Sequence, residues 1–186
     1  GSFNNFLKIS DEVVETWSKI LKEIKNSRLL LKSSERYNYE IILKKFKKYE
    51  VGNCIELLNK NDFENIEDHL NLYNKIDIAL DTFPYTGVTT TFEALWMGVP
   101  VITMKGHNFK SRCGESILKN ANLENLVCSN KDDYIQKACN LAKDLNQLEK
   151  TRKYLFNNIL DTNLFNTKKF VSEFEKILLE KYYNIT

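Results

Sequence analysis

The sequence has few of the residues that build disulfide frameworks or metal sites. Its 186 residues include only four cysteines and two histidines. No two cysteines form a CxxC pair, and no histidine lies at a ligand spacing from them. We therefore expect buried, unpaired thiols in a reducing compartment, the cytoplasm, rather than a disulfide framework or a zinc site. The cysteines are Cys54, Cys113, Cys128 and Cys139.

The sequence also lacks a long apolar run and a strong excess of one charge. No stretch approaches the ~20 apolar residues that span a bilayer, and no signal-peptide pattern opens the chain. The 27 lysines and arginines against 25 acids give a net charge of +2, and they are spread along the chain. The densest basic stretch, 44–48, has the spacing of a solvated helix face. We expect neither a membrane nor a nucleic acid as partner.

Short apolar runs alternate with amphipathic stretches throughout the chain. Strand followed by helix, five times over, predicts an α/β fold, a Rossmann-like parallel sheet with helices on both faces. We expect one domain, 1–186, with a helical tail at about 147–186. Ser10 is predicted to cap the first helix, Gly52 to follow the second, and Gly98 to stop the fourth. The predicted strands are 28–32, 54–58, 76–80, 99–104 and 126–128.

Ligands of such sheets bind beyond the carboxyl ends of the strands, where the strand order reverses. That rule directs attention to four turns, which follow Leu80, Met104 and Leu58 or precede the first helix.

The turn after Leu80 has the composition of a phosphate site. Phe83-Pro84 predicts an extended chain, and Gly87 a tight turn with positive φ. Three threonines then open a helix, whose first N–H groups and dipole attract phosphate. Thr90 to Glu93 also has the pattern of a capping box, which needs no ligand. The residues alone leave both interpretations open.

The run from Asp77 to Pro100, DIALDTFPYTGVTTTFEALWMGVP, closely resembles the donor-site signature of the O-GlcNAc transferase/SPINDLY family, the family 41 glycosyltransferases. Other matches occur in the order that the family has, so the resemblance covers essentially the whole chain. They are the segments 1–9, 68–73, 111–118 and 163–167.

The resemblance implies a role for individual residues. Lys8 would contact the diphosphate of the donor and stabilise its charge, which is the one catalytic role assigned; no general base is identified. Asn5 would lie near the diphosphate, and Glu93 would bind the ribose hydroxyls. His69 would contact the nucleoside or the diphosphate, although a lone helical histidine is usually a packing residue. The remaining candidate donor-binding residues are Gly87, Val88, Thr89, Thr90 and Arg112, and Arg112 has the alternative of a surface charge.

The resemblance also implies a fold and a reaction. The chain would be the C-terminal, nucleotide-sugar-binding half of a GT-B enzyme that transfers GlcNAc from UDP-GlcNAc to Ser or Thr of proteins. Such transfer needs no metal and no cofactor. The first Rossmann half and the TPR repeats that select protein acceptors are missing, so we expect little transfer by this chain alone.

Departures from the family pattern leave the donor open. Val88 replaces a histidine of the animal enzymes, and Ile66 and Leu72 replace basic residues around the base. One alternative is a SPINDLY-like protein O-fucosyltransferase that uses GDP-fucose, and another is a non-catalytic nucleotide-binding module. A GT-B enzyme acting on glycans or lipids would show a Gly-rich turn and a Glu-x₇-Glu pattern, which are not seen.

Overall fold

The computed structural model describes residues 1–32, 39–58 and 65–184. It contains five short parallel strands, at or within every predicted strand. The turn after Leu58, one of the four predicted ligand-binding turns, lies outside the described residues. The strands are β1 (Leu29–Lys32), β2 (Ile55–Leu58), β3 (Ala79–Leu80), β4 (Val101–Met104) and β5 (Val127–Cys128).

The first three residues lie between β1 and β3 and connect the strands into one sheet. The Ser2 amide donates to Leu30 O at 2.9 Å, and Leu80 N donates to Gly1 O at 2.8 Å. The order is therefore β2, β1, segment 1–3, β3, β4, β5. Sequence periodicity did not indicate this pairing, because three residues are too few to show a period.

The strand order reverses at segment 1–3. From this segment the chain runs outward to β1 and β2, then returns to the other side as β3, β4 and β5. A crevice is expected at the carboxyl ends of the strands that flank such a reversal. Here those strands are segment 1–3, β1 and β3.

Helices cover both faces of the sheet, as predicted. The helix α1 packs against α2 and α6, whereas α4 and α5 pack against each other and against β4. The bounds are α1 (Asp11–Glu23), α2 (Tyr39–Lys47), α3 (Ile66–Asn71), α4 (Thr89–Trp96), α5 (Phe109–Asn120), α6 (Lys131–Lys143), α7 (Leu145–Asn158) and α8 (Thr167–Tyr183).

Two of the three predicted helix boundaries are confirmed. Ser10 Oγ accepts from Val13 N at the start of α1. Gly98, with φ of 72°, ends α4 in a left-handed conformation. The prediction that Gly52 follows α2 is wrong, because α2 ends at Lys47 and Glu50 takes the left-handed conformation. The earlier turn returns the chain so that Val51, 3% exposed, joins the core.

The four cysteines are all free thiols. Burial was predicted for each, and it holds for Cys128 and Cys139, whereas Cys54 and Cys113 are partly exposed. Cys54 ends a short 3-10 helix and packs at the margin of the core, and Cys113 of α5 lines a surface cavity.

The helical tail consists of two unlike helices. The helix α7 buries Leu148 and Leu155, but α8 buries none of its residues. The helix α8 has an apolar face that does not pack on the core, since Phe170, Phe174 and the other apolar side chains of α8 are about half exposed or more.

Candidate functional site

The turn between β3 and α4 wraps around a buried carboxylate. Asp81, 1% exposed, follows β3 and accepts hydrogen bonds from the amides of Thr82, at 2.9 Å, and Gly87, at 2.6 Å. Residues 83–85 form a bend, so the extended chain predicted at Phe83-Pro84 is wrong; the peptide bond between these two residues is cis. The turn therefore closes on its own first residue.

The glycine of this turn is required by packing and not by backbone conformation. Gly87 does not adopt a positive φ, so that prediction is wrong. A Cβ at Gly87 would lie 2.6 Å from Thr90 Oγ1 and 2.8 Å from Thr91 Oγ1. The close approach of the turn to the start of α4 leaves no space for a side chain.

The start of α4 has no side-chain cap. The helix begins at Thr89, and the apolar side chain of Val88 at the N-cap cannot accept a hydrogen bond. The capping box predicted for Thr90 and Glu93 does not form, because Thr90 Oγ1 donates to Asn4 Oδ1 at 3.0 Å instead. Helix starts leave their first N–H groups for caps, water or ligands. In the described chain, the N–H groups of Thr89 and Thr90 meet no capping side chain.

Lys8 reaches the same turn from the opposite wall. It ends a short 3-10 helix, Phe6–Lys8, whose start Asn5 caps by accepting from Leu7 N at 2.8 Å. Lys8 Nζ donates to Thr86 O at 3.1 Å and lies 4.0 Å from the centre of the Tyr85 ring. Burial lowers the pKa of Lys8, and the charge of Asp81 acts in the opposite direction.

A chain of hydrogen bonds forms the next wall of the cavity. Glu93 Oε2 lies 2.8 Å from His69 Nε2 and accepts from the Tyr73 hydroxyl at 2.9 Å. Lys32 Nζ contacts His69 Nδ1. Since an ammonium only donates, Nδ1 is the acceptor and Nε2 carries the proton that His69 donates to Glu93. Burial lowers the pKa of Lys32 to about 8 and raises that of Tyr73.

Lys8, Lys32, His69 and Glu93 line one cavity of about 470 Å³ at the point where the strand order reverses. It brings together seven of the predicted site residues, and Gly87 lies buried behind Thr90. The seven are Asn5, Lys8, His69, Val88, Thr89, Thr90 and Glu93.

Arg112 lies outside this cavity. Its side chain is 61% exposed on α5 and pairs with Glu115 at 3.4 Å. It lines a neighbouring cavity of about 590 Å³ with His107, and Val88 contributes to both cavities. The turn after Met104, another predicted ligand site, therefore borders the second cavity.

The positions where basic residues were expected around a base differ from each other. Leu72 is 3% exposed and belongs to the core, whereas Ile66 is 67% exposed at the start of α3. Neither lines the cavity.

Sequence analysis missed four residues of the site, Asn4, Lys32, Tyr73 and Tyr85. Lys32 had a detectable signal, because it follows the apolar run Leu29–Leu31 at the carboxyl end of a predicted strand. No feature of the sequence distinguished Tyr73 and Tyr85 from the other aromatic residues. The role of Asn4 depends on the pairing of segment 1–3, which was not predicted.

Neither a membrane-spanning helix nor a metal-binding cluster is present in the part of the chain that the structure covers. No described helix is long and apolar enough to cross a membrane. Among the same residues, no three acidic, histidine or cysteine side chains are grouped where they would hold a metal ion.

The fold and the crevice define a Rossmann-like domain whose cavity joins two lysines, a carboxylate and an uncapped helix start. The sequence model that describes glycosyl transferase family 41 matches residues 1–174 of this chain. The chain belongs to this glycosyltransferase family.

Individual relatives agree with the family. A protein of Solanum lycopersicum named "Probable UDP-N-acetylglucosamine--peptide N-acetylglucosaminyltransferase SPINDLY" is 38% identical over 184 residues, 95% of this chain and 19% of the relative. The UDP-N-acetylglucosamine--peptide N-acetylglucosaminyltransferase of Caenorhabditis elegans is 28% identical over 180 residues, 95% of this chain and 15% of that protein. The chain thus spans about a fifth or less of these relatives.

A solved structure has the same fold. A mutant O-GlcNAc transferase of Thermobaculum terrenum matches with a TM-score of 0.85 and 34% identity, over 96% of this chain and 34% of that one. The predicted α/β architecture is therefore confirmed, and so is the resemblance to the O-GlcNAc transferase/SPINDLY family.

Proposed function

We propose that this chain is the donor-binding domain of a protein O-glycosyltransferase that transfers GlcNAc from UDP-GlcNAc to Ser or Thr. One observation carries the proposal. Lys8 and the uncapped start of α4 face a single cavity at the point where the strand order reverses. The names of the relatives support UDP-GlcNAc as the donor.

The diphosphate would lie between α4 and Lys8. The N–H groups of Thr89 and Thr90 and the hydroxyl of Thr89 would donate to its oxygens, and the helix dipole would add a positive partial charge. Lys8, and Lys32 across the cavity, would supply full charges. These groups would stabilise the charge that develops on the leaving diphosphate, so we propose a reaction without a metal or cofactor.

The nucleoside would lie along the wall formed by His69 and Glu93. Both described hydrogen bonds to Glu93 reach Oε2, which leaves Oε1 for a ribose hydroxyl. The bonds from His69 and Tyr73 would hold the carboxylate in one orientation for that contact. Asn5 lines the same cavity and would contact the diphosphate.

Transfer would need parts that this chain does not contain. The cavity opens beside Val88 towards the second cavity, where the sugar of the donor and Arg112 would come near each other. We propose that a second Rossmann half closes this side, and that TPR repeats bring the protein acceptor. No described residue of the cavity is placed as a general base, so this domain alone would transfer little. The free thiols favour a cytoplasmic location.

A GDP-fucose donor is the second candidate, because Ile66 and Leu72 stand where basic residues were expected around the base, and neither lines the cavity. A non-catalytic nucleotide-binding module is the third. Calorimetric titration with UDP, GDP, UDP-GlcNAc and GDP-fucose separates the first two. Preference for the two uridine ligands is expected. Preference for GDP-fucose would replace the donor, and no binding at millimolar concentrations would reject the proposed function.

A further inference from the structure

Asp81 is a buried carboxylate at the point where four segments of the domain meet. The amides of Thr82 and Gly87 donate to its Oδ1, and Asn4 Nδ2 donates to the same oxygen at 3.3 Å. Thr103 Oγ1, on β4, donates to Oδ2 at 2.6 Å. One side chain therefore joins the segment after residues 1–3, the turn 82–87 and β4.

The fourth segment is α5, which approaches Asp81 at a glycine. A Cβ at Gly114 would lie 2.9 Å from Asp81 Oδ2 and would also contact the Thr103 hydroxyl. The Gly114 amide donates to Thr86 Oγ1 at 3.2 Å, which fixes the far end of the turn. The carboxylate is thus enclosed by the elements that carry the pocket.

Asp81 does not line the cavity of the proposed site, but its hydrogen-bond partners hold the groups that do. Asn4, which donates to Asp81, accepts from Thr90 at the start of α4. The turn that Asp81 closes carries the Thr86 carbonyl, which accepts from Lys8. The two phosphate-binding elements of the proposed site, α4 and Lys8, are therefore held at their mutual position through this carboxylate.

A neutral amide would fill the same space at lower cost, since an ionised carboxylate is expensive to bury. A carboxylate accepts at both oxygens, and hydrogen bonds to a charged acceptor are short and strong. The 2.6 Å bonds from Gly87 and Thr103 have that character. We propose that ionised Asp81 is the positioning residue of the donor site, holding the turn 82–87 and the start of α4 in the shape that binds diphosphate. This inference rests on the proposed function.

Protonation of Asp81 would weaken that arrangement. Burial raises the pKa of Asp81 to about 6, opposed by the bonds from Thr103, Gly87 and Thr82 and by the charge of Lys8. The other titratable group that faces it is Tyr134 of α6, whose hydroxyl donates to Asp81 O at 2.9 Å. Segment 4–8 contributes Lys8 and Asn4, while β4 and α5 present the uncharged Thr103 and Gly114. Donor affinity should therefore fall as the pH drops through about 6.

The test is the affinity for UDP-GlcNAc, measured by calorimetry from about pH 5 to about pH 8. Both phosphates of this ligand are esterified, so the ligand itself does not titrate there. For the unsubstituted chain we expect an affinity loss of about tenfold below the midpoint. Asp81→Asn should bind UDP-GlcNAc weakly at every pH, and its affinity should lack the fall that protonation of Asp81 causes. His69 remains in both proteins, so the difference between their profiles isolates Asp81.

Two further variants sharpen the test. Thr103→Val keeps the carboxylate but removes a bond that stabilises its charge, so the pH midpoint should move upward. The matched control is Asp144→Asn, which makes the same change at the cap of α7, where Asp144 accepts from Gln147 N at 2.9 Å. This control should reproduce the affinity and the profile of the unsubstituted chain.

The outcomes separate this inference from the proposed function. If the unsubstituted chain binds UDP-GlcNAc and Asp81→Asn binds equally well with the same profile, the positioning role is wrong and the donor site remains. If the unsubstituted chain does not bind at any pH, both are wrong. If Asp81→Asn does not fold, Thr103→Val decides, and an unmoved midpoint overturns the inference.

Discussion

The Lys8 side chain contributes charge to the cavity and little to the packing of the domain. Its ammonium contacts the Thr86 carbonyl and the Tyr85 ring, and both contacts lie at the cavity wall. Lys8→Ala should weaken UDP-GlcNAc binding about tenfold, the typical scale of one lost charge-assisted contact, and leave the thermal midpoint almost unchanged. Calorimetry and thermal melting measure the two effects.

The matched control for Lys8 is Lys150→Ala, which removes an exposed lysine of α7. Its affinity should equal that of the unsubstituted chain. Equal affinity of Lys8→Ala and Lys150→Ala would contradict the assignment of Lys8 to the diphosphate.

Asp81 should make stability depend on pH in the direction opposite to most carboxylates. Its pKa rises from 3.8 to about 6 on folding, so the folded state binds more protons between these values and loses stability as the pH rises through them. Asp81→Asn lacks this loss. Its stability relative to the unsubstituted chain should increase by about 2 kcal/mol between about pH 4 and about pH 7.

Urea unfolding of both proteins at the two pH values gives this double difference, in which contributions of the other carboxylates cancel. A pH-independent difference would mean that Asp81 has an ordinary pKa in the folded domain, and that its burial carries no charge penalty.

Among the secondary-structure elements, α4 depends on the glycine that precedes it. Gly87→Ala would push a methyl group against the hydroxyls of Thr90 and Thr91. Overpacking of this kind costs about 1 to 3 kcal/mol, and it would displace the start of α4, so both stability and UDP-GlcNAc affinity should fall. Urea unfolding and calorimetry measure the two losses.

Gly52→Ala is the control for this substitution. A Cβ there would meet Lys47 Cγ, at 2.6 Å, on a side chain that can move aside. Its stability should change little and its affinity not at all. If Gly87→Ala binds UDP-GlcNAc as tightly as Gly52→Ala does, the close packing of this turn is irrelevant to binding.

The helix α8 should be dispensable for the domain, unlike α7. None of its residues is buried, whereas Leu148, Leu155 and the following Ile159 are part of the core. Truncation after Asn166 keeps Phe165, which packs against Phe92 and Trp96, and should leave the thermal midpoint and the nucleotide affinity unchanged. Truncation after Asp144 should unfold the domain. A large loss from the shorter deletion would show that α8 packs on the core.

The helices and strands followed from local patterns, and the tertiary arrangement of the site followed only in part. Apolar periodicity located the elements, and the carboxyl-edge rule selected the turn after Leu80. Local sequence did not reveal the cis Phe83-Pro84 bond, the absent cap of α4 or the pairing of Gly1 and Ser2 with β1 and β3. The pairing of Gly1 and Ser2, like the contacts of Asn4 with Thr90 and Asp81, joins residues that are distant in the chain.

The domain as a whole has its cavity at the point where the strand order reverses. This cavity carries the cations and the helix start that suit a diphosphate, and Val88 also lines a second cavity beside it. The resemblance supplied the residues of this site, and the structure supplied their geometry, including the unexpected Lys32, Tyr73 and Tyr85. Arg112 was grouped with the others by motif alone, and it lies on the neighbouring surface because α5 turns its side chain outward.

Amide NMR during titration of the whole domain with UDP tests the account most directly, because it reports where the nucleotide binds. The largest saturable shifts should occur at the amides of Val88, Thr89 and Thr90, with smaller shifts near Lys8 and His69 and none along α7 and α8. Saturable shifts centred elsewhere, or no saturable shifts at millimolar UDP, would contradict the assignment of this cavity as the donor site.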